Sequence, residues 1–302
     1  MTIKEALRKA SAELKQNNIP SFDLDSEVLL EYILKRHGFD RAKILAYPET
    51  EINIQDQNKY FELISRRASR EPVAYITKGK EFFGTLFYTD KRVLIPRPET
   101  EILVEEALKT IKKKAETQDQ VKVIDVGTGS GCIAITIQKA VQEKFPQIKD
   151  RIEIYASDIS LEALTVAETN LKKHGLRDKI KLHQSDLLKN IEGEFDLICA
   201  NLPYLSKKDY SVVDQEIKNY EPKKSLKGGD EGVELYLKLF DQISKHIKKE
   251  ALLLIEIHPY QKEALVKAAR EKFSARGGSA FGGKDHTIED LNHQERVLMI
   301  QF

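Results

Sequence analysis

The chain has 302 residues, 41% hydrophobic and 32% charged, with 49 lysines and arginines against 48 acids and a formal net charge of +1. This mixture describes a globular chain of one large or two ordinary domains and excludes a collagen, a disulfide scaffold and an integral membrane protein. The near-neutral charge also argues against affinity built mainly on neutralising nucleic-acid phosphates. No apolar run approaches the ~20 residues that a bilayer span needs. The start MTIKEALRKASAEL mixes acids with bases and lacks the apolar core of a signal peptide, so the expected location is the cytoplasm, with no membrane partner. Cys132 and Cys199 lie far apart and lack the short pairings that hold zinc. They are expected to be buried small hydrophobes, with no disulfide framework and no metal site.

The first seventy residues read as helices. Thr2 and Glu5 have capping-box spacing, and Ile3, Ala6, Leu7, Ala10 and Leu14 recur at helical intervals until Asn17, Asn18 and Pro20 stop the pattern. A second apolar cluster, Val28 to Leu34, follows Asp25 and Ser26 as caps, and a third, Tyr60, Phe61 and Ile64, follows Asn53 and Asp56. Residues 1–71 are therefore expected to form a small helical domain. From Pro72 the sequence turns aromatic and β-branched, with Lys78, Gly79 and Gly84 as punctuation, which predicts a β-hairpin linker over 72–100. Pro96 and Pro98 make its end rigid and irregular before a helix from about Glu101.

After Lys114 strand-like and helix-like stretches alternate, the signature of a sheet covered by helices on both faces. The expected strands are VKVIDV, RIEIYA, KIKLH, FDLICA and ALLLIEI, with a helix from Leu161 to Lys173 among the crossovers. Two further apolar stretches, Phe273 to Phe281 and the terminal RVLMIQF, are close enough in sequence to pair with each other. Residues 101–302 thus read as one α/β domain.

VIDVGTGSGCIAI sets a buried strand, a glycine loop and a helix start in succession, so that backbone N–H groups face a ligand. Gly127, Gly129 and Gly131 allow close approach, but Cys132 stands where a dinucleotide fingerprint has its last glycine. Asp125 precedes the loop, where an acid can hold an amino group. Asp158, just past IEIYA, can accept both ribose hydroxyls of a nucleoside or simply cap a helix. Asp186 follows KIKLH, so glycines and acids at the carboxyl ends of three strands converge on one crevice.

FDLICA runs directly into Asn201, Leu202, Pro203 and Tyr204, which resemble the N-P-P-Y motif of methyltransferases that modify planar nitrogen atoms. An amide nitrogen is a feeble nucleophile because its lone pair is delocalised. The Asn201 oxygen and the next main-chain oxygen can accept its two N–H bonds and stabilise the charge that develops. Tyr204 can lay its ring on the planar group, and Pro203 fixes the backbone. Leu202 replaces the usual proline but still carries a carbonyl, so function should survive with somewhat less preorganisation.

Beyond GTGSG and NLPY, the segments EPVAYITKGKEFFG, VLIPRPETE, NYEPKKSLKGGDEG, EIHPYQ and DLNHQERV resemble, in order and nearly end to end, the release factor glutamine methyltransferases of the PrmC/HemK type. The resemblance implies a class I methyltransferase domain with a Rossmann-like seven-stranded sheet, in which five crossover strands are joined by a terminal pair. It also implies S-adenosyl-L-methionine as cofactor, S-adenosyl-L-homocysteine as product, and methyl transfer to N5 of the glutamine in the Gly-Gly-Gln motif of class-1 peptide chain release factors. Residue by residue it assigns Gly127, Thr128, Gly129, Ser130 and Gly131 to the methionine side, Asp158 to the ribose, Asp186 and Leu187 to the adenine, and Asn201, Leu202, Pro203 and Tyr204 to the substrate glutamine. Asn201 and Tyr204 are the expected catalytic pair, and Asn201 also borders the cofactor. Leu187 stands where some relatives put an aromatic ring. Arg97 and Glu99 wall the site or fix the domain junction. His258, where the family has glycine, is expected to be a solvated loop residue without a catalytic role, and Asn292 and His293 are further departures. A monomer with no stable nucleic-acid partner is expected. The alternatives are a glutamine methyltransferase of a ribosomal protein, a nucleic-acid amino-methyltransferase, and a binding protein that has lost turnover.

Overall fold

A computed structural model describes residues 1–273 and 286–302 and divides them into two compact units. The first holds residues 1–79 together with 214–220. Its helices are α1 (Ile3–Gln16), α2 (Phe22–Leu34), α3 (Arg41–Ala46), α4 (Ile54–Ala68) and α5 (Val73–Ile76). The Thr2 hydroxyl accepts from Glu5 N at 3.2 Å and the Glu5 carboxylate from Thr2 N at 3.0 Å, closing the capping box of α1. One face of α1, Ile3, Ala6, Ala10 and Leu14, is buried against Leu29, Leu30, Tyr60 and Ile64. Asn53 caps α4 by accepting from Asp56 N at 2.9 Å.

Two expectations change here. Asp25 and Ser26 lie inside α2, not at its start, because Asp25 serves a buried partner: Arg67 Nε donates to it at 2.6 Å. Arg67 also donates to Glu216 at 2.7 Å, which secures residues 214–220 in this unit. Pro72 opens the short helix α5 instead of a strand, and α5 belongs to the helical unit.

The second unit holds residues 80–213 and 221–302 of those described. Strands β1 (Lys80–Phe82) and β2 (Thr85–Phe87) form a tight antiparallel hairpin. Then come α6 (Thr100–Ala115), β3 (Val121–Val126), α7 (Cys132–Lys144), β4 (Ile152–Asp158), α8 (Leu161–Lys173), β5 (Ile180–Gln184), β6 (Phe195–Ala200) and α9 (Lys207–Val212). Helix α10 (Gln215–Tyr220) is the excursion counted with the first unit, and α11 (Glu234–Ile243), β7 (Ile247–Glu256), α12 (Lys262–Phe273), β8 (His286–Glu289) and β9 (Glu295–Gln301) follow. The seven-stranded sheet has the order β5-β4-β3-β6-β7-β9-β8, parallel through β7, with β9 antiparallel to both β7 and β8. The partner of the terminal strand is β8, and residues 274–281 of the stretch expected to pair with it lie outside the described residues.

β6 is buried at every position, as a central parallel strand covered on both faces must be. Strand order reverses between β3 and β6, because β3 pairs with β4 on one side and β6 on the other. Crossovers therefore leave in opposite directions there and open a crevice at the strands' carboxyl ends. Cys132 and Cys199 are both free and buried.

Arg67 is 4% exposed and Asp25 7%. Arg67→Ala strips a buried carboxylate of its counter-charge, at a cost of about 3–5 kcal/mol. Calorimetry should show a clearly lower unfolding midpoint, and an unchanged one would mean that the pair contributes nothing.

Candidate active site

The loop after β3 has Gly127, Gly129 and Gly131 at φ +78°, +55° and +81°, a region that costs other residues roughly 1–2 kcal/mol. Gly127 N and Thr128 N donate to Ser157 O at 2.8 and 2.9 Å, tying the loop to the end of β4. A Cβ on Gly131 would come within 3.0 Å of Ile135, whereas one on Gly129 would meet nothing nearer than Gly127 O at 4.0 Å. The crest of the loop thus faces open space. Thr128 and Ser130 are buried, so what the loop offers a ligand there is main chain.

Asp125 lies beneath this loop. Its Oδ2 accepts from the Thr128 hydroxyl at 2.6 Å and from Ala134 N at 3.3 Å, which braces the loop against α7. Oδ1 is buried without a partner, and burial pushes the carboxyl up to about 7. Through Oδ2, Asp125 thus has a bracing role within the protein.

Asp158 accepts from Gly129 N at 2.9 Å and from Ser160 N at 2.9 Å, and each oxygen keeps a lone pair for a further donor. Burial raises its carboxyl above the ordinary range. Ser160, not Asp158, caps α8. The end of β5 joins in: Ser185 N donates to Asp158 O at 3.0 Å, and the Ser157 hydroxyl donates to Leu187 O at 3.4 Å. Leu187 is buried at φ +58°, a strained conformation for a non-glycine residue, and Asp186 is paired with Lys238 of α11 at 2.5 Å. Loop, Asp158 and the 185–187 turn are thus joined by hydrogen bonds.

The carboxyl end of β6 completes the site. A Cβ on Gly127 would lie 2.9 Å from Leu202 Cδ2 and 3.8 Å from Asn201 O, so glycine loop and tetrapeptide touch. Asn201 Nδ2 donates to Thr100 Oγ1 at 3.0 Å and to Glu256 Oε2 at 2.9 Å, while the Thr100 hydroxyl donates to the same Glu256 oxygen at 2.6 Å. With both amide N–H bonds used internally, Oδ1 is left without a partner among the described residues. Leu202 N donates to the Tyr236 hydroxyl at 3.2 Å, which itself donates to Glu256 O. Gln261 Nε2 donates to Tyr204 O at 3.0 Å and to Gly232 O at 2.8 Å. A Cβ on Gly228 would fall 2.8 Å from Tyr204 Cα, so the KGGDEG segment must have glycine there to lie against the tetrapeptide. Burial pushes the Tyr204 hydroxyl up and keeps it neutral.

Thr100, Tyr236 and Glu256 were not among the residues singled out from the sequence. The available signal was an acid closing the otherwise apolar ALLLIEI strand. Glu256 is 2% exposed, and burial pushes its carboxyl up to about 7 with Thr100, Arg97 and Arg296 opposing and Glu99 assisting. Arg97 is bonded to the buried Glu221, which also accepts from Ile95 N at 3.2 Å. His258 is half-buried instead of solvated: its ring packs 4.4 Å from that of Tyr260, its Nδ1 is buried without a partner, and burial holds its pKa below the usual value. Asn292 and His293 sit in the turn from β8 to β9, where both backbone N–H groups bond to Asp290.

A mixed seven-stranded sheet of this order, with a glycine loop after β3 and an acid at the end of β4, defines a class I methyltransferase domain. Residues 100–231 match the Methyltransferase small domain family, and residues 5–77 match the PrmC N-terminal domain family. The hMettl16 catalytic domain, solved with MAT2A 3'UTR hairpin 6, shares the fold at a TM-score of 0.54 and 15% identity, covering 80% of this chain and 82% of that one. The chain is 38% identical to the release factor glutamine methyltransferase of Clostridium acetobutylicum over 85% of its own length and 86% of that protein. It is 34% identical to that of Clostridium botulinum over 99% and 98% respectively. The chain belongs to the release factor glutamine methyltransferase family.

The residues fit S-adenosyl-L-methionine: open space over Gly129, free lone pairs on Asp158 and a non-glycine residue strained at the crevice wall. No helix of the described residues is long and apolar enough to cross a membrane, and none of their acidic, cysteine and histidine side chains form a metal-binding group of three.

Burial gives Asp125 a higher pKa folded than unfolded, so between about pH 4 and 7 the unfolded chain holds fewer protons and stability falls as pH rises. Glu256 contributes in the same direction. Asp125→Asn removes the first contribution and leaves the second, so its midpoint should gain on that of the parent as pH climbs from 5 to 7. Parallel midpoint curves would show that the Asp125 proton is not held by the fold.

Proposed function

We propose that this chain transfers a methyl group from S-adenosyl-L-methionine to the side-chain N5 of the glutamine in the Gly-Gly-Gln motif of class-1 peptide chain release factors. The observation that carries this reading is Asn201, whose Nδ2 donates to Thr100 and Glu256 and leaves Oδ1 for a substrate donor, on a turn whose Leu202 side chain lies against Gly127. The main chain at Gly127, Thr128, Gly129, Ser130 and Gly131, with Asp158, Asp186 and Leu187, holds the cofactor. When bound, it supplies a methyl group on a positively charged sulfur and leaves as S-adenosyl-L-homocysteine.

Asn201 Oδ1 and the Leu202 carbonyl accept the two N–H bonds of the glutamine amide, aim its nitrogen and stabilise the positive charge that grows there as the new C–N bond forms. One amide proton then leaves to water. No strong base is required, because the nitrogen becomes acidic only as it is alkylated, and no metal is required, because the acceptors supply the polarisation. The Tyr204 ring lies against the amide plane, and Pro203 holds the turn. The helical unit, residues 1–79 with 214–220, presents the release factor, and the unit of residues 80–213 and 221–302 is the catalytic domain. The protein works as a cytoplasmic monomer without a stable nucleic-acid partner.

Peptide mass spectrometry of an unmodified bacterial release factor after incubation with protein and cofactor should show one added methyl on the Gly-Gly-Gln fragment. Asn201→Ala should leave cofactor affinity within about tenfold and cut transfer by roughly a hundredfold or more. Full activity in that variant would sink the mechanism. Asp158→Ala should act chiefly on cofactor affinity in a calorimetric titration, and unchanged binding would remove Asp158 from the site.

A further inference from the structure

Asn201 has a symmetric-looking side chain, and either end of an amide can face a crevice. Only the oxygen end is useful to a substrate that presents two N–H bonds, since the other end would set donors against donors. Something must choose. The choice is made one layer below the crevice, by residues that the substrate amide does not meet.

We propose that Glu256 and Thr100 are positioning residues that lock the Asn201 amide with its oxygen toward the substrate. This rests on the proposed reaction and goes a step deeper into its site. An ionised carboxylate can only accept, so Glu256 Oε2, 2.9 Å from Asn201, can be met by the NH₂ end and not by the oxygen. Thr100 removes the remaining ambiguity. Its hydroxyl spends its single proton on Glu256 at 2.6 Å, which leaves only lone pairs for Asn201 at 3.0 Å. The carboxylate thus fixes the direction of the hydroxyl, and the two together fix the direction of the amide. The anchor is rigid, because Thr100 is 2% and Glu256 2% exposed, and the Glu256 main-chain carbonyl is held by Tyr236.

The lock depends on charge. Glu256 is faced by Arg97 and Glu99 before α6, by Thr100 on α6, by Arg296 on β9, and by the neutral hydroxyls of Tyr204 and Tyr236. Burial pushes its carboxyl up to about 7 against the pull of the two arginines. Once protonated, Glu256 can donate as well as accept, and the amide is free to turn. The turnover rate at saturating cofactor and release factor should therefore rise with pH through this range.

The test uses the full-length protein with release factor and cofactor, measuring kcat and KM from pH 5.5 to 8.5. Glu256→Gln keeps shape but can face Asn201 with either end, and Thr100→Val removes the hydroxyl at nearly constant volume. Each should lower kcat about tenfold, with the release factor KM and cofactor affinity changed by little. Glu256→Gln should also lose the acid limb of the kcat profile, and Thr100→Ser should recover most of the rate lost in Thr100→Val. Saturating cofactor separates these effects from Asp125 and Asp158, the other two carboxyls raised by burial on the cofactor side. Wild-type kcat with an unchanged acid limb in Glu256→Gln would overturn the lock, as would equal losses in the serine and valine variants. Asn201→Ala, run alongside, keeps the two levels apart: if it too is fully active, the clamp itself is wrong, and if it alone is inactive, only the lock is.

Discussion

Parallel pairing of β3 with β6 sets Asp125 against Cys199 and Val126 against Ala200, so the two strands end side by side. Every feature of the crevice depends on that register. The glycine loop leaves one strand and the Asn201–Tyr204 turn leaves the other, and they meet because Gly127 has no side chain to occupy the volume taken by Leu202. A slip of one residue would exchange the faces of β6 and carry Asn201 away from the loop. Strong burial on both sides makes such a slip costly, since all six residues of β6 are covered. The Asn201–Tyr204 turn is therefore anchored to a strand buried along its whole length.

The second constraint is electrostatic. Asp125 and Glu256 are buried acids under the two halves of the crevice, both pushed upward by desolvation. Neither is exposed enough to act as a base in bulk water, and each is spent on internal donors. Such groups are expensive to keep, and an apolar residue would pack with less penalty. What they supply is direction: Asp125 fixes how the loop enters α7, and Glu256 sets which end of an amide can meet it. A reaction on a weakly nucleophilic nitrogen depends on orientation of this kind more than on a strong base.

The parts legible in the sequence are those written locally. GTGSG announces its own backbone, the Leu161–Lys173 periodicity announces α8, and NLPY sits at the end of a strand visible in its composition. Thr100 and Glu256 were not legible because they reach Asn201 from 101 and 55 positions away along the chain. Only the pairing of β6 with β7 and the packing of α6 bring them together. Asp25 misled for a related reason. An acid near a helix start reads as a cap, and nothing local announces that Arg67, 42 positions on, needs it as a buried counter-charge. The β-branched and aromatic residues of α5 carry strand propensity, which tertiary packing overrides in so short an element.

Leucine at position 202 shows how one constraint can substitute for another. Proline would fix the local φ but carries no N–H, and here the Leu202 N–H is used: it donates to Tyr236, whose hydroxyl donates in turn to the Glu256 main chain. The turn is thus cross-linked to the end of β7 by hydrogen bonds where a ring would have stiffened it from within. The same tyrosine then steadies both Leu202 and the strand end that carries the buried acid. This link restrains a turn in which leucine is expected to leave somewhat less preorganisation than proline. The cost is passed to the neighbouring loop, because the leucine side chain fills the volume next to Gly127 and makes glycine obligatory there for packing as well as for its positive φ.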